Sequence, residues 1–215
     1  MTKPKYAICL FDCLSNDKPI SSFERQCAKE LSPRRAYEYK NSRACARQFL
    51  SLIHCIPPLD IPLYSPPSKP PILPKDFGYL SISHCSSALL LGWSQFPIGV
   101  DIEKKDRRIS SEKFLNRFFA DSEIISCKNK HSEELREHVL DLWVIKESAI
   151  KFQKGNISFD LNKWIFDEKS LIATHQSCGL KVRIHRSDFI NWKISIAFDL
   201  RISNTFPIIC YSQNT

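Results

Sequence analysis

The chain has 215 residues, 43% of them hydrophobic and 25% charged, and its formal net charge is +8. This composition excludes a disordered chain and is typical of a soluble globular protein with one large domain or two small ones. The positive charge favours acidic or phosphorylated partners, and nucleic acid, a nucleotide or an acidic protein would all satisfy it. No apolar run approaches the roughly 20 residues that span a bilayer, so we expect no membrane partner.

Nine cysteines lie at scattered spacings, without a Cys-x-x-Cys pair. The odd count and irregular spacing argue against a secreted disulfide framework and against a zinc site. We therefore expect reduced thiols and a cytoplasmic protein. Residues 7–14 are apolar, but Asp12 interrupts them and no cleavage site follows, so they predict a first strand and not a signal peptide.

The first half of the chain alternates helical and extended patterns. Residues 22–55 predict helix, with Ser32 as an N-cap and Pro33 in the first helical position. Residues 57–75 hold eight of the thirteen prolines, which excludes a helix or a central strand and predicts an extended connector on the surface. Strands are predicted at residues 79–83, 88–93 and 98–103.

The second half begins with helical patterns and ends with strands. Residues 110–130 and 132–154 have helical periodicity, and Gly155 is a plausible C-cap. Further strands are predicted at residues 164–166, 171–174, 180–185 and 192–198. No internal repeat is strong at the level of single residues. The order of elements predicts an α+β protein with two lobes, which we place at residues 1–105 and 106–215.

Two acidic residues share one face of the strand predicted at residues 98–103. Because side chains alternate along a strand, Asp101 and Glu103 point the same way, with Cα atoms about 7 Å apart. Neighbouring carboxylates repel each other unless a cation lies between them, and magnesium accepts such ligands. The alternative is an exposed strand end with two solvated acids.

Two further patterns carry possible chemistry. Trp143, Glu147 and Lys151 follow the spacing i, i+4, i+8 and form one stripe on a helix, where the carboxylate could hold a metal and the ammonium a phosphate. The alternative is an ordinary Glu–Lys pair on a solvated helix face. His84 follows Ser83 at the end of a predicted strand and could bind a phosphate oxygen, or could be a structural histidine.

The order and spacing of these motifs are more specific than any one of them. Ser-His precedes Gly-Val-Asp-Ile-Glu, then Phe-Phe-Ala-Asp-Ser-Glu at residues 118–123, then Trp-x-x-Lys-Glu-Ser-x-x-Lys. This series resembles the 4'-phosphopantetheinyl transferases of the surfactin-synthetase-activating type, over nearly the whole chain. The resemblance implies a pseudo-dimer of two similar α/β lobes, an active site at their interface, and a monomer.

The resemblance also implies roles for individual residues. Asp101, Glu103 and Glu147 would hold Mg²⁺, or Mn²⁺, together with the pyrophosphate of coenzyme A. Lys151 would bind phosphate and steady the departing 3',5'-ADP.

The resemblance places the remaining coenzyme A contacts in the first half of the chain. His84, beside Ser83, would contact the 3'-phosphate, and Lys69 the nucleotide. Arg43 lies where the family often has a coenzyme A-binding arginine, although Arg47 could be meant instead.

The implied reaction transfers phosphopantetheine to a serine of an acyl- or peptidyl-carrier protein. A serine hydroxyl needs a base to take its proton, and Glu147 could serve directly or through a metal-bound water. Glu123 would assist or would orient Lys146. The positive charge of the chain suits anionic coenzyme A and an acidic carrier protein.

Two rival interpretations remain at this stage. A basic nucleic-acid-binding module would use the Arg- and Lys-rich helix at residues 22–55, but it leaves Asp101, Glu103 and Glu147 without a purpose. We therefore expect no nucleic-acid partner. An inactive relative that only binds partners would not need all three predicted metal carboxylates, and all three are present.

Overall fold

The computed structural model describes residues 4–12, 19–86, 88–130, 132–202 and 209–213. Its helices and strands in chain order are β1 Tyr6–Asp12, α1 Ser22–Lys29, α2 Pro33–His54, β2 Tyr79–Cys85, β3 Ala88–Ser94, β4 Ile98–Lys104, α3 Ser111–Phe118, α4 Asp121–Ser126, α5 Ser132–Gln153, α6 Ile157–Asp160, β5 Trp164–Asp167, β6 Ile172–His175, β7 Lys181–Phe189, β8 Trp192–Phe198 and β9 Ile209–Gln213. The predicted α+β class is confirmed.

The chain forms two compact units, one of Met1–Ile98 with Phe206–Thr215 and the other of Gly99–Thr205. The first unit has a four-stranded sheet in the order β2-β3-β1-β9, in which β1 is antiparallel to β3 and parallel to β9. Its core joins Phe49 and Leu50 of α2 to Leu89, Leu91 and Trp93 of β3. Apolar side chains that recur at helical spacing on α2 thus cover one face of this sheet.

The second unit has a five-stranded sheet in the order β4-β8-β7-β6-β5. Helix α5 packs on it through a core that includes Val144, Ile145, Val182, Ile184 and Ala197. Every residue of β8 is buried, as expected of a strand with neighbours on both sides. The compact units divide the chain before the boundary that the sequence predicts at residue 105, because β4 belongs to the sheet of the second unit.

Most predicted elements are confirmed, with differences at their ends. Residues 22–55 form two helices, and Pro33 begins the second, although the Ser32 side chain makes no capping hydrogen bond. Residues 110–130 also form two helices, separated at Phe119 and Ala120. The residue in the left-handed conformation after α5 is Lys154 and not Gly155, the predicted C-cap. Gly155 donates its backbone N–H to Ile150 O at 2.9 Å. The predicted first strand is β1, and its residues 13 and 14 lie outside the described residues.

The proline-rich connector is only partly exposed. Ile61, Leu63 and Ser65 are buried, whereas Pro62 and Tyr64 between them are exposed. The prediction that no α-helix or central strand forms here is right, but Pro58–Asp60 form a short 3-10 helix. Ile61 and Leu63 belong to the core of the first unit, so the expected surface position is wrong for them. Within the described ranges, no helix is long and apolar enough to cross a membrane.

Candidate active site

A glycine allows β4 to lie directly against α5. A Cβ atom at Gly99 would lie 1.9 Å from Ser148 O and 2.5 Å from Phe152 N. These distances are too short for any residue other than glycine at this position. Both contacts are with backbone atoms of α5, so a substitution would force strand and helix apart. The glycine of the Gly-Val-Asp-Ile-Glu motif therefore sets the distance between the strand and the helix that carry the predicted site residues.

Asp101 on β4 and Lys151 on α5 meet across this contact. Lys151 Nζ donates to Asp101 Oδ1 at 2.5 Å and lies 3.6 Å from Glu147 Oε2, and the Asp101 side chain is 3% exposed. The structure thus brings together three residues that the sequence placed in two separate motifs. Here the Glu–Lys pair is not a solvated surface pair, because a buried aspartate shares its ammonium.

Glu103 lies two residues further along the same face of β4 and is paired with a residue that sequence reasoning missed. Arg107 donates to the Glu103 carboxylate, and its guanidinium carbon lies 5.5 Å from the centroid of the Trp143 ring. The only sequence signal for Arg107 is its i+4 spacing from Glu103, beyond the strand end. Glu103 and Trp143 thus share a cation that neither motif contains.

Burial and like charge both disfavour ionisation of Glu147. Desolvation, followed by the charge of Asp101, raises the pKa of Glu147 to about 7, while Lys151 acts in the opposite direction. Burial also raises the pKa of Glu103, against the attraction of Arg107. Burial alone would lower the pKa of the Lys151 ammonium, but Asp101 and Glu147 outweigh it and raise that pKa. The site therefore holds carboxylates that a further cation would stabilise in their charged form.

The donor chemistry of this site fits a hard divalent cation. The charges of Asp101 and Glu103 both contribute to the raised pKa of Glu147, so the three carboxylates act on one another. Magnesium commonly takes one or two carboxylates and completes its octahedron with water and phosphate oxygens. Across the residues that the structure describes, no three His, Cys, Asp or Glu side chains are already arranged to hold a metal.

Glu123, predicted as an assisting residue, is bonded to Lys146. Lys146 Nζ donates to Glu123 Oε2 at 2.5 Å and to Leu161 O at 3.0 Å, and the same carboxylate oxygen accepts from Ala120 N at 3.0 Å. Lys146 is fully buried, and its ammonium lies 4.6 Å from the centroid of the Phe119 ring. The motif at residues 118–123 thus supplies both the carboxylate and the aromatic ring that contact the buried Lys146 ammonium.

The four remaining predicted site residues belong to the first unit. His84 is exposed and Ser83 buried at the end of β2, and Lys69 is exposed in the connector. Arg43 is buried, donates to Ser65 O at 3.0 Å and to Ser42 Oγ at 2.9 Å, and its guanidinium carbon lies 4.5 Å from the centroid of the Tyr39 ring.

Arg47, the alternative to Arg43, is engaged inside the first unit. Its Nε donates to both carboxylate oxygens of Glu24, at 3.0 and 2.8 Å, and its terminal nitrogens donate to the carbonyls of Pro58, Ile61 and Leu63. Five hydrogen bonds of this kind describe a structural arginine.

A comparison with known protein families gives a match that lies almost entirely within the second unit. Residues 97–197 match the family model of the 4'-phosphopantetheinyl transferase superfamily. The matched range contains Asp101, Glu103, Glu123, Glu147 and Lys151, so the resemblance recognised in the motifs is confirmed for this part of the chain.

Curated relatives align with a similar share of the chain. The 4'-phosphopantetheinyl transferase ffp of Bacillus subtilis and the 4'-phosphopantetheinyl transferase Sfp of Bacillus subtilis strain 168 are each 32% identical over 96 residues. Each alignment covers 45% of this chain and 42% of the relative. The aligned part thus spans less than half the length of the curated relatives.

Proposed function

We propose that the protein transfers the 4'-phosphopantetheine arm of coenzyme A to a serine of an apo acyl- or peptidyl-carrier protein and releases 3',5'-ADP. The observation that carries this proposal is the meeting of Asp101, Glu147 and Lys151 inside the range that matches the family model of the transferase superfamily. A buried acidic site beside a shared ammonium is suited to a substrate that brings phosphates and a cation with it.

The reaction is a phosphoryl transfer in which positioning and charge do most of the work. The serine Oγ of the carrier forms a bond to the β-phosphorus of coenzyme A, and the bond from that phosphorus to the bridging oxygen of 3',5'-ADP breaks. The leaving group departs with the negative charge, and the serine proton goes to a base on the enzyme. Mg²⁺, held by Asp101, Glu103 and Glu147, would neutralise charge on the pyrophosphate when bound.

Glu147 has the properties of the base. Without a metal, burial and the charge of Asp101 raise its pKa to about 7. A bound cation would favour the ionised carboxylate, which is the form that can accept a proton. Lys151 contributes a positive charge that phosphate oxygens would attract, and its bond to Asp101 fixes where that charge lies. We assign Glu123 an orienting role, because its carboxylate bonds to Lys146, the residue next to Glu147.

The contacts to coenzyme A in the first unit rest on the resemblance alone. His84 would bind the 3'-phosphate and Lys69 would contact the nucleotide, while Ser83 and Arg43 would make further contacts with coenzyme A. A cytoplasmic monomer with no nucleic-acid partner and no membrane partner remains the expectation from the sequence.

Mass spectrometry of a carrier protein tests the proposal. The purified protein is incubated with coenzyme A, Mg²⁺ and an apo acyl-carrier protein, and we expect the carrier to gain the mass of one phosphopantetheine. Asp101→Asn should remove this gain, since it removes the charge that pairs with Lys151. No gain with several unrelated apo carriers, from a folded protein, would contradict the transferase function.

Glu133→Gln is a matched control on the same helix. Glu133 is exposed and pairs with Arg136, so its substitution changes one carboxylate of α5 away from the site. We expect Glu133→Gln to modify the carrier at the rate of the unaltered protein, and Glu147→Gln to be slower by a factor of about 10² or more, the usual loss with an acid–base group. Equal rates for the two variants would remove Glu147 from the mechanism.

A further inference from the structure

Arg107 brings to the candidate active site a cation that none of the sequence motifs contains. It stands three residues after Lys104, the end of β4, and its guanidinium donates to the Glu103 carboxylate. The guanidinium carbon also lies 5.5 Å from the centroid of the Trp143 ring on α5. The side chain is thus held by one residue of β4 and one residue of α5.

The backbone next to Arg107 is tied to α5. Arg136 of this helix donates through one terminal nitrogen to Lys105 O at 2.6 Å and to Arg107 O at 3.2 Å. Within the turn, Arg107 N donates to Lys104 O at 3.1 Å. The Arg107 side chain itself is 33% exposed, so it can change its partner while the turn stays in place.

The ring that supports the guanidinium is fixed in the core. Trp143 is buried and packs against Phe114 and Phe118, with centroid distances of 4.9 and 5.8 Å. An ordinary i, i+4 ion pair at a strand end would explain the contact of Arg107 with Glu103. It would not require the guanidinium to lie against a buried ring on the helix that carries Glu147 and Lys151. This ring attracts the cation whichever anion the cation binds.

The charge of Arg107 acts on two of the three carboxylates assigned to the metal. Burial is the largest cause that raises the pKa of Glu103 and the pKa of Glu147, and the charge of Arg107 opposes that rise in both. The guanidinium thus supplies part of the positive charge that a divalent cation would supply. A cation bound by Glu103 would compete with the guanidinium for the same carboxylate and would repel it.

We propose that Arg107 exchanges Glu103 for a phosphate of coenzyme A when a divalent cation binds to Asp101, Glu103 and Glu147. The inference rests on the proposed function, which supplies both the cation and the phosphates. Before the exchange, Arg107 occupies a carboxylate that the cation needs. After it, the guanidinium stays beside Trp143 and offers its paired N–H donors to phosphate oxygens, an anion that arginine binds well.

The exchange predicts effects of opposite sign in one variant. Arg107→Gln removes the charge that competes with the metal, so the metal alone should bind more tightly. The same substitution removes a phosphate donor, so coenzyme A should bind more weakly once the metal is present. A variant that only disturbed the local structure would weaken both.

Titration with Mn²⁺ in the absence of coenzyme A tests the first effect. Mn²⁺ stands in for Mg²⁺ because both accept oxygen ligands, and the electron paramagnetic resonance signal of free Mn²⁺ measures how much is bound. We expect Arg107→Gln to lower the Kd of Mn²⁺ by a factor of about 10. Arg108→Gln is the matched control, since it removes the same charge from the exposed neighbouring residue, and it should leave this Kd within about twofold.

Isothermal titration of coenzyme A at saturating Mn²⁺ tests the second effect. Here Arg107→Gln should raise the Kd of coenzyme A by a factor of about 10, and Arg108→Gln should leave it nearly unchanged. The proposal would be overturned by a Mn²⁺ affinity of Arg107→Gln equal to or below that of the unaltered protein, by an unchanged coenzyme A affinity, or by no Mn²⁺ binding to either protein.

These titrations contain no carrier protein and do not depend on transfer. If both affinities change as expected while the carrier gains no mass, the exchange at Arg107 stands and the proposed transferase function fails. If the carrier is modified while Arg107→Gln leaves both affinities unchanged, the transferase function stands and the exchange fails.

Discussion

Each compact unit contains a buried salt bridge between a glutamate and a basic residue, Glu24 with Arg47 in the first and Glu123 with Lys146 in the second. The two salt bridges have the same local arrangement. Glu24 and Glu123 each stand third in a short helix and accept a hydrogen bond from the backbone N–H of the N-cap, Ser21 or Ala120. Each then binds a cation 23 residues further on, in the middle of a 22-residue helix.

The same offset of 99 residues relates Glu24 to Glu123 and Arg47 to Lys146. Both cations also donate to carbonyls of the segment that follows their helix. Arg47 reaches Pro58, Ile61 and Leu63, and Lys146 reaches Leu161. This correspondence supports the predicted similarity of two lobes in a chain that shows no strong repeat at the level of single residues.

The buried cation is an arginine in the first unit and a lysine in the second, and this difference matches the segment to which each one donates hydrogen bonds. The segment after α2 is rich in proline, which lacks an N–H, so its carbonyls need donors from elsewhere. The guanidinium of Arg47 supplies several donors in a fixed geometry. The segment after α5 forms α6 and β5 with hydrogen bonds of its own, and one bond from the Lys146 ammonium to it is enough.

The units diverge at the positions next to these cations. Glu147 and Lys151 follow Lys146, whereas Gln48 and Leu52 stand at the corresponding places after Arg47. Leu52 is 77% exposed. Of the two similar scaffolds, only the second carries the carboxylate and the ammonium of the candidate site at these positions.

Loss of the guanidinium should have the largest effect on stability. Arg47→Met leaves the fully buried Glu24 without its cation and three carbonyls without a donor, and we expect the free energy of unfolding to fall by about 3–5 kcal/mol in urea denaturation. Arg34→Met, which breaks an exposed pair with Glu38, should change it by less than about 1 kcal/mol. A loss for Arg47→Met as small as that of Arg34→Met would show that the buried pair adds nothing.

The matching change in the second unit should be slightly less severe. Lys146→Met leaves Glu123 buried without its cation, but only the carbonyl of Leu161 loses its donor, whereas Arg47→Met affects three carbonyls, so we expect a loss of about 3 kcal/mol. Adding Glu123→Gln should restore part of it, since the unpaired charge is then gone. If the double variant is less stable than Lys146→Met, the charge of Glu123 is not the source of the loss.

A smaller effect on stability is expected at the position two residues after the buried cation, where α2 and α5 carry different side chains. Ser148 Oγ lies 2.8 Å from Ser195 Oγ, whereas Phe49 occupies the corresponding place in the first unit. Ser148→Ala leaves the buried Ser195 hydroxyl without this partner and should reduce the free energy of unfolding by about 1–2 kcal/mol. The double variant with Ser195→Ala should lose less than the two single losses added together, and simple additivity would exclude a coupled pair.

The smallest expected effect concerns one titration in each unit. Tyr39 and His138 also stand 99 residues apart, and burial favours the neutral form of both. It raises the pKa of Tyr39 to about 12, and burial followed by the charge of Lys130 lowers the pKa of His138. The unfolded chain should thus lose protons first at Tyr39 and gain them first at His138.

Stability should accordingly fall above about pH 10 because of Tyr39, and as the pH drops through about 6.5 because of His138. Absorbance of the phenolate and NMR of the imidazole measure the two pKa values, with Tyr39→Phe and His138→Gln as references. A His138 pKa at or above that of a free histidine would contradict the expected sign.

Local rules predicted the parts of the candidate site but not all of its contacts. Strand alternation placed Asp101 and Glu103 on one face, and helical spacing placed Glu147 beside Lys151. Their meeting depends on the approach at Gly99, which a single glycine in a strand pattern only suggests. The contact of Arg107 with Trp143 joins residues far apart in sequence, and no local pattern predicts it.

Similar limits explain the elements that were missed in the fold. β9 has five residues, and its partner in the sheet is β1, near the other end of the chain. A short run of this kind gains its strand conformation from the partner and not from its own pattern. The buried residues of the proline-rich connector were missed because prolines indicate an extended chain but not which of its sides faces a core.

The pairing of β9 with β1 also has a consequence for synthesis of the chain on the ribosome. β1 emerges early and pairs with β3, but its other edge has no strand until residues 209–213 are made. During that interval the nascent chain exposes an open sheet edge, which is prone to pair with other chains. A truncation before residue 209 would make that edge permanent. A circular permutant in which β9 precedes β1 would remove the delay, with a linker long enough to run back along the strands because the two are parallel.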